Sequence, residues 1–443
     1  MAGARLRTPP RDPRPVGLRR RRPLHVGPPV PRSAEDALMP TPSFTRAKWS
    51  IAALFCFLGF QYGTWVSRLP ALKTRLDLGA GEVGLLLMAC GAGAAAAFPL
   101  VAVLMRRLGA RTLSLASALA LIVVLAALSV VPNYPLALLA VCADGVAVGC
   151  LNVAMNAQGA ALESTYDRTA MSQLHATFSA GLLTAALLTS GVTSLTQSVP
   201  AHFTVAGAVL LLLLVCARRG LLPDAPAPDA TPEKRRARHW TLPSGLTLLM
   251  GCAMTFGTIT EGAMNDWSTL YLKDTVKASS TVAPLGIAVV SATMLLARAC
   301  ADRWRDRWGD GPVVRAGSAL AAVGLGLALL TGGVPATLLG FACVGLGAAA
   351  ITPCVYVAAA ERGSDALSLV AAMGTVGLLA GPALIGFVAT AGGLTLGMAV
   401  VAASALAVTA TAIWIPWNIR WSPEPQVSTL PSMTDDDRKG SAA

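Results

Sequence analysis

The sequence predicts an all-α membrane protein: twelve transmembrane helices in two pseudo-symmetric six-helix bundles. Three observations predict it. Only 13% of the 443 residues are charged and 54% are hydrophobic, where a soluble domain carries about 25% charged residues, so the chain has too little polar surface to cover itself in water. Apolar windows of roughly 19 residues recur along most of the length. Basic residues fall in alternate connections, which is the signature of a chain threading a bilayer.

The elements follow in order. Residues 1–46 are rich in Arg and Pro, lack apolar periodicity and read as a disordered cytoplasmic tail, with a start near Met39 as the alternative. A first half, 47–217, holds spans at 48–68, 82–105, 110–131, 135–158, 169–194 and 200–217. The Pro/Asp/Arg-rich stretch 218–240 is a cytoplasmic linker. A second half, 241–417, holds spans at 242–272, 279–298, 313–331, 334–358, 364–389 and 393–417, and 418–443 is a second cytoplasmic tail. Several spans are rich in Ala and Gly, which suits helices that pack on one another; Gly377-x-x-x-Gly381 is one such pair. Trp49, Trp240, Trp414 and Trp417 fall at span ends, where amphipathic rings suit the headgroup layer.

Orientation follows from Lys and Arg. With both termini inside, thirty of the 35 basic residues lie in cytoplasmic segments, leaving Arg68, Lys73, Arg75, Lys273 and Lys277 outside. This bias accounts for the net charge of +12 without nucleic acid, and lipid is the solvent for most of the chain. The nine cysteines show no CxxC or zinc spacing and read as small packing residues, so neither a metal nor a cofactor is expected.

The halves match each other. Trp65 and Trp267, Gly109 and Gly309, Glu163 and Glu361, and Gly181 and Gly377 stand 202, 200, 198 and 196 residues apart, a slowly drifting offset that argues for duplication. Parallel repeats suit a carrier that rocks two halves about a central site.

An ionisable residue inside a span is costly and defaults to function. Glu261, in the seventh span, is the first choice for proton coupling, with Asn265 one turn on, on the same face. Asp144, in the fourth, is the alternative coupling acid. Asn152 and Asn156 stand four apart on the fourth span, and amides offer donors and acceptors to a hydroxyl-rich solute. His175 on the fifth span, and Gln61 with Trp65 on the first, complete the candidate solute contacts. Arg68 and Asp266, near the outer ends of equivalent spans, form a candidate external gate. The Gly345–Ala350 run lies in an apolar span after no strand, and no HExxH, P-loop or G-x-S-x-G occurs, so no enzyme is expected and energy must come from solute or ion gradients.

The loop after the second span reads AVLMRRLGAR (102–111), and the loop after the eighth keeps Asp306-Arg307-Trp308-Gly309. With the twelve-span pattern, these resemble the major facilitator superfamily and its loop signature G-x-x-x-D-R-x-G-R-R/K. In the first copy Ala102 replaces the first Gly and Arg106 the acid; the resemblance implies a cytoplasmic latch, which Asp306 and Arg307 would serve. GTWVSRLPALKTRL (63–76), GCLNVAMNAQGAALE (149–163), MSQLHATFSAG (171–181) and EGAMNDWSTLYL (261–272) resemble a fucose-permease-like branch. That resemblance implies proton-coupled, alternating-access movement of a small polar solute such as a sugar. Asn152 departs from it, standing where the branch often has an acid. Efflux of an amphipathic compound and a non-transporting membrane sensor or scaffold are the alternatives.

Overall fold

The computed structural model describes residues 42–224 and 244–417, apart from the side chains of Ser172, Asp302 and Ser364. The expected N-terminal tail up to residue 41, the expected linker from 225 onward, Trp240 and the expected tail 418–443 lie outside the described residues. Among the described residues every regular element is helical. In chain order they are α1 (Phe44–Ser67), α2 (Leu69–Leu76), α3 (Ala80–Val130), α4 (Tyr134–Tyr166), α5 (Met171–Leu195), α6 (Val199–Arg218), α7 (Gly245–Leu270), α8 (Leu285–Trp308), α9 (Asp310–Thr331), α10 (Val334–Ala348), α11 (Ile351–Ala360) and α12 (Ser364–Trp414). A π-turn, Tyr271–Thr275, extends α7.

Eight helical stretches, counting α10 with α11, are long and apolar enough to cross a membrane; α8 adds the shorter apolar stretch Leu285–Ala301. At 51 residues each, α3 and α12 are far longer than the ~20 residues one crossing needs. Both break at glycine: Gly109 at φ 75°, ψ 168°, and Gly393 at φ 82°, ψ 164°. Only glycine adopts these angles without strain, so the breaks are written into the sequence.

The ends are set by local chemistry. Asn133 accepts a bond from Leu136 N at 3.1 Å to start α4, and Ser198 and Ser244 do the same for α6 and α7. Glu82 turns back to accept from Gly79 N at 2.7 Å at the start of α3. Glu163 reaches across the turn after α4 and accepts from Ala170 N and Met171 N, satisfying donors at the start of α5.

Three expected boundaries move. Residues 44–46, assigned to the tail by composition, open α1. The linker's first residues are anchored: Leu221 and Leu222 are buried, and the Asp224 carboxylate accepts from Arg111 N at 2.9 Å, beside Gly109. The largest shift is the eighth span, expected over 279–298 and found over Leu285–Trp308. A hydropathy window loses this helix where Arg and Asp enter, but Arg sustains helix well and no Gly or Pro interrupts 287–308, so it runs on until Gly309 at φ 80°.

Small residues bring helices into backbone contact. A Cβ on Gly145 would stand 1.8 Å from the Cys90 carbonyl oxygen, and one on Gly93 would stand 2.1 Å from that of Cys142, so α3 and α4 touch along their main chains. Gly377 and Gly381 face Thr255 and Ile259, packing α12 on α7 as the small-xxx-small pattern implies. Gly84 lies against Pro382 and Gly386, joining α3 to α12. Trp65 and Trp267, matched in the repeat, are both buried, and Gly109 and Gly309 share one backbone conformation. Trp49 and Trp414 are exposed at helix ends, while Trp417 is half-buried and donates its indole N–H to Ala412 O at 2.8 Å.

Candidate functional site

Most of the chain's polar chemistry gathers where α1, α4, α5, α7 and α8 approach one another. Glu261 is half-buried on α7, and its partner is Arg298 on α8: the guanidinium donates to Glu261 Oε1 at 2.8 Å. The same Arg298 donates to Ser179 Oγ on α5 at 3.2 Å. One side chain thereby joins residues 42–224 to residues 244–417. His175 is one turn before Ser179, hence on the same face of α5, and lies near enough to Arg298 to feel its charge. The His175 ring is exposed and sits edge-on to Phe55, with centroids 5.0 Å apart. Asn265 follows Glu261 by one turn and is half-buried.

A second cluster is sealed. Asp144 on α4 is fully buried; Gln61 Nε2 donates to its Oδ1 at 2.7 Å, and Cys90 Sγ approaches Oδ2 at 3.9 Å. The backbone contact of Gly145 with Cys90 is what places the carboxylate there. Beside Gln61, Tyr62 donates its phenolic hydrogen to Asp266 on α7, again across the two segments. A bond of this type to an acid contributes about 1.5–3 kcal/mol.

At the end where α1 finishes, further bonds join the segments. Lys73 on α2 pairs with Asp274 in the π-turn. Ser190 Oγ donates to Thr281 O at 2.7 Å, and Thr193 Oγ1 to Ser280 O at 3.2 Å.

Several expected roles change. Arg68 and Asp266 do not pair in this conformation: Arg68 donates to Gln197 O, and Asp266 accepts from Tyr62. Each meets another partner, Arg68 on the α5–α6 turn and Asp266 on α1. Gln61 and Trp65 present no face to a solute; both are buried, Gln61 is spent on Asp144, and the Trp65 indole nitrogen has no partner. Asn152 is exposed, and Asn156 donates to its carbonyl and side-chain oxygens at 2.7 and 2.8 Å, so the two amides act as one unit on α4. Asp306 and Arg307 are exposed, Arg307 lying over the Trp308 ring, while the ion pair at this turn is Arg305 to Asp310 at 2.8 Å.

Sequence reasoning missed Arg298, Ser179 and Tyr62. Arg298 closes the expected eighth span and reads there as one of the basic residues of the loop that follows. The signal against that is the absence of Gly and Pro from 287 to 308, which lets the helix carry Arg298 inside it. Tyr62 had a weaker signal, a lone phenol beside Gln61 at the end of an apolar run, and Ser179 had none.

Comparison with known proteins agrees with this architecture. A family model described as the Major Facilitator Superfamily matches residues 4–168, 50–274 and 246–436. An uncharacterized MFS-type transporter of Yersinia pestis is 32% identical over 368 residues, covering 81% of this chain and 93% of the relative. The membrane protein MosC of Rhizobium meliloti is 28% identical over 380 residues, covering 85% and 92%. Among solved structures, a D-xylose-proton symporter superposes with TM-score 0.64 at 16% identity, covering 84% of this chain and 97% of that one. The nucleoside transporter NupG superposes with TM-score 0.62 at 16% identity, covering 84% and 98%. The chain belongs to the major facilitator superfamily.

Proposed function

We propose that this protein is a secondary active transporter that moves a small polar solute, of the sugar or nucleoside kind, by alternating access with proton coupling. The breaks in α3 and α12 support twelve crossings, divided as two six-helix halves either side of the segment 225–243. The basic residues then put both termini in the cytoplasm and the end where α1 finishes outside. Polyhydroxyl solutes are suggested by the fold shared with the D-xylose-proton symporter and the nucleoside transporter. The amides of the exposed Asn152 and half-buried Asn156, with Asn265 and His175, offer the donors and acceptors such solutes need. The motif likeness to fucose-permease-like facilitators points the same way.

The observation that carries the reading is the link Glu261–Arg298–Ser179. It places an acid and a cation at the meeting of the two halves, inside apolar helices, where charge is costly without a task. In the proposed cycle, a proton taken up by Glu261 removes the carboxylate that holds Arg298. Arg298 is then free to change partner, and the Ser179 contact between halves changes with it. The buried Asp144 and Asp266, each held by a residue of α1, are the further coupling candidates. The test is flux in proteoliposomes: uptake of labelled sugars and nucleosides with and without an inward proton gradient. Glu261→Gln is expected to abolish gradient-driven uptake and leave exchange of solute for solute. Gradient-driven uptake unchanged in that variant removes Glu261 from the coupling step.

A further inference from the structure

We propose that the end of the molecule where α1 finishes carries a binding site for an anionic group, a carboxylate or a phosphate, distinct from the Glu261–Arg298 cluster. A cavity of about 380 Å³ opens there, between α1, α2, the α5–α6 turn, the π-turn and the start of α8. Its lining contains three cations, Arg68, Arg75 and Lys273, and no carboxylate. The nearest acid to this cluster in sequence, Asp274, is taken by Lys73.

The lining also holds unspent donors. Arg68 is only 4% exposed, and one terminal nitrogen donates to Gln197 O, but its Nε has no partner. Ser67 Oγ and Thr269 Oγ1, on the first and second halves, are likewise buried without partners, and both line the same cavity. Buried polar atoms are rarely left unpaired, and an orphan asks for an occupant. These atoms belong to residues that line one cavity, and the cations of that lining, a buried guanidinium among them, suit a ligand that accepts hydrogen bonds and carries negative charge. A neutral solute would meet the hydroxyls and leave the guanidinium uncompensated. Lys273 donates to Ser280 Oγ at 3.0 Å and so stands in reach of the same space. Because the lining comes from both halves, an anion held there would tie them together at this end.

Two sources can supply the group: a soluble organic anion or the headgroup of an anionic lipid. The full chain in phosphatidylcholine nanodiscs is titrated calorimetrically with succinate, with inorganic phosphate and with glucose. In parallel, nanodiscs made with and without phosphatidylglycerol are compared for lipid retained on the protein by native mass spectrometry. Succinate or phosphate binding, without glucose binding, identifies a soluble occupant. Phosphatidylglycerol retention identifies a headgroup. In either case Lys273→Gln and Arg68→Gln should each weaken binding about tenfold or more, as expected for a lost charge-assisted bond. Lys277→Gln, outside the lining, should not weaken it. Should Arg68→Gln fail to fold, Arg68→Lys keeps the charge and Lys273→Gln alone decides. A cavity that binds neither soluble anion nor phosphatidylglycerol holds water only, and the proposal falls. It falls equally if binding is unchanged in both Lys273→Gln and the Arg68 variant. The measurement needs no flux, so its failure leaves the transport reading untouched.

Discussion

The two ends of the molecule are built differently. At the end where α1 finishes, which we take as outer, the segments are tied by Tyr62 to Asp266, Lys73 to Asp274, Ser190 to Thr281 and Thr193 to Ser280. Gln61, Trp65, Trp267 and Asp144 are buried nearby. Toward the other end the polar side chains reach solvent: Asn152 and His175 are exposed, and Glu261 and Arg298 keep 27% and 33% of their side-chain surface. The contrast teaches that this conformation is held by ties at one end, while the groups proposed to meet solute face the other, which is cytoplasmic in the proposed orientation. A carrier must break the first set to expose the second elsewhere, so the ties measure how far the resting balance leans.

The strongest challenge to that comparison is Arg298→Ala. Arg298 and Glu261 keep 33% and 27% of their side-chain surface, so the pair itself contributes roughly 0.2–1 kcal/mol to stability, and the loss is expected in transport. Uptake in proteoliposomes should be lost, and exchanging the two charges (Glu261→Arg with Arg298→Glu) should restore part of it. No recovery in the exchanged protein would mean that the pair itself is not what matters. Next comes Tyr62→Phe, which deletes the outer hydrogen bond to Asp266 while keeping the ring. A loss of about 1.5–3 kcal/mol should move the balance toward outward opening by a factor of about ten or more. Spin-label distances across the outer end should lengthen in a larger share of molecules; an unmoved distribution would show that Tyr62 is not a tie. The smallest effect is expected from Lys73→Gln. Lys73 and Asp274 are both about a quarter exposed, and pairs of this sort contribute roughly 0.2–1 kcal/mol. The same distances should shift slightly at low salt and not at high salt, where charges are screened. A salt-insensitive shift would assign Lys73 a packing role.

Much of the fold was legible because it rests on composition and period. Apolar windows located the helices, and glycine at positions 109 and 309 marked the turns between them. The eighth span was misplaced because hydropathy reads lipid contact, whereas α8 is held by a Gly-free, Pro-free run that stays helical through its charges. The candidate site was less legible. Glu261, Asp144 and Asp266 stood out as acids in apolar surroundings, yet their partners were not visible. Whether Asp266 meets Arg68 or Tyr62, and whether Glu261 meets solvent or Arg298, depends on helix rotation and approach, and one residue of rotation turns a side chain by about 100°. Local sequence carries no record of that. The glycines that fix it, such as Gly145 against Cys90, are visible only as small residues until the neighbouring helix is in place.

The seam between α3 and α12 has its own lesson. Where Gly84 meets Pro382 and Gly386, two main chains lie against each other with no side chains interlocked between them. A toothed joint must unmesh before it turns; a smooth one rolls. In the proposed cycle this stretch of the seam serves as a bearing, holding the load between the halves while offering little friction to their swing.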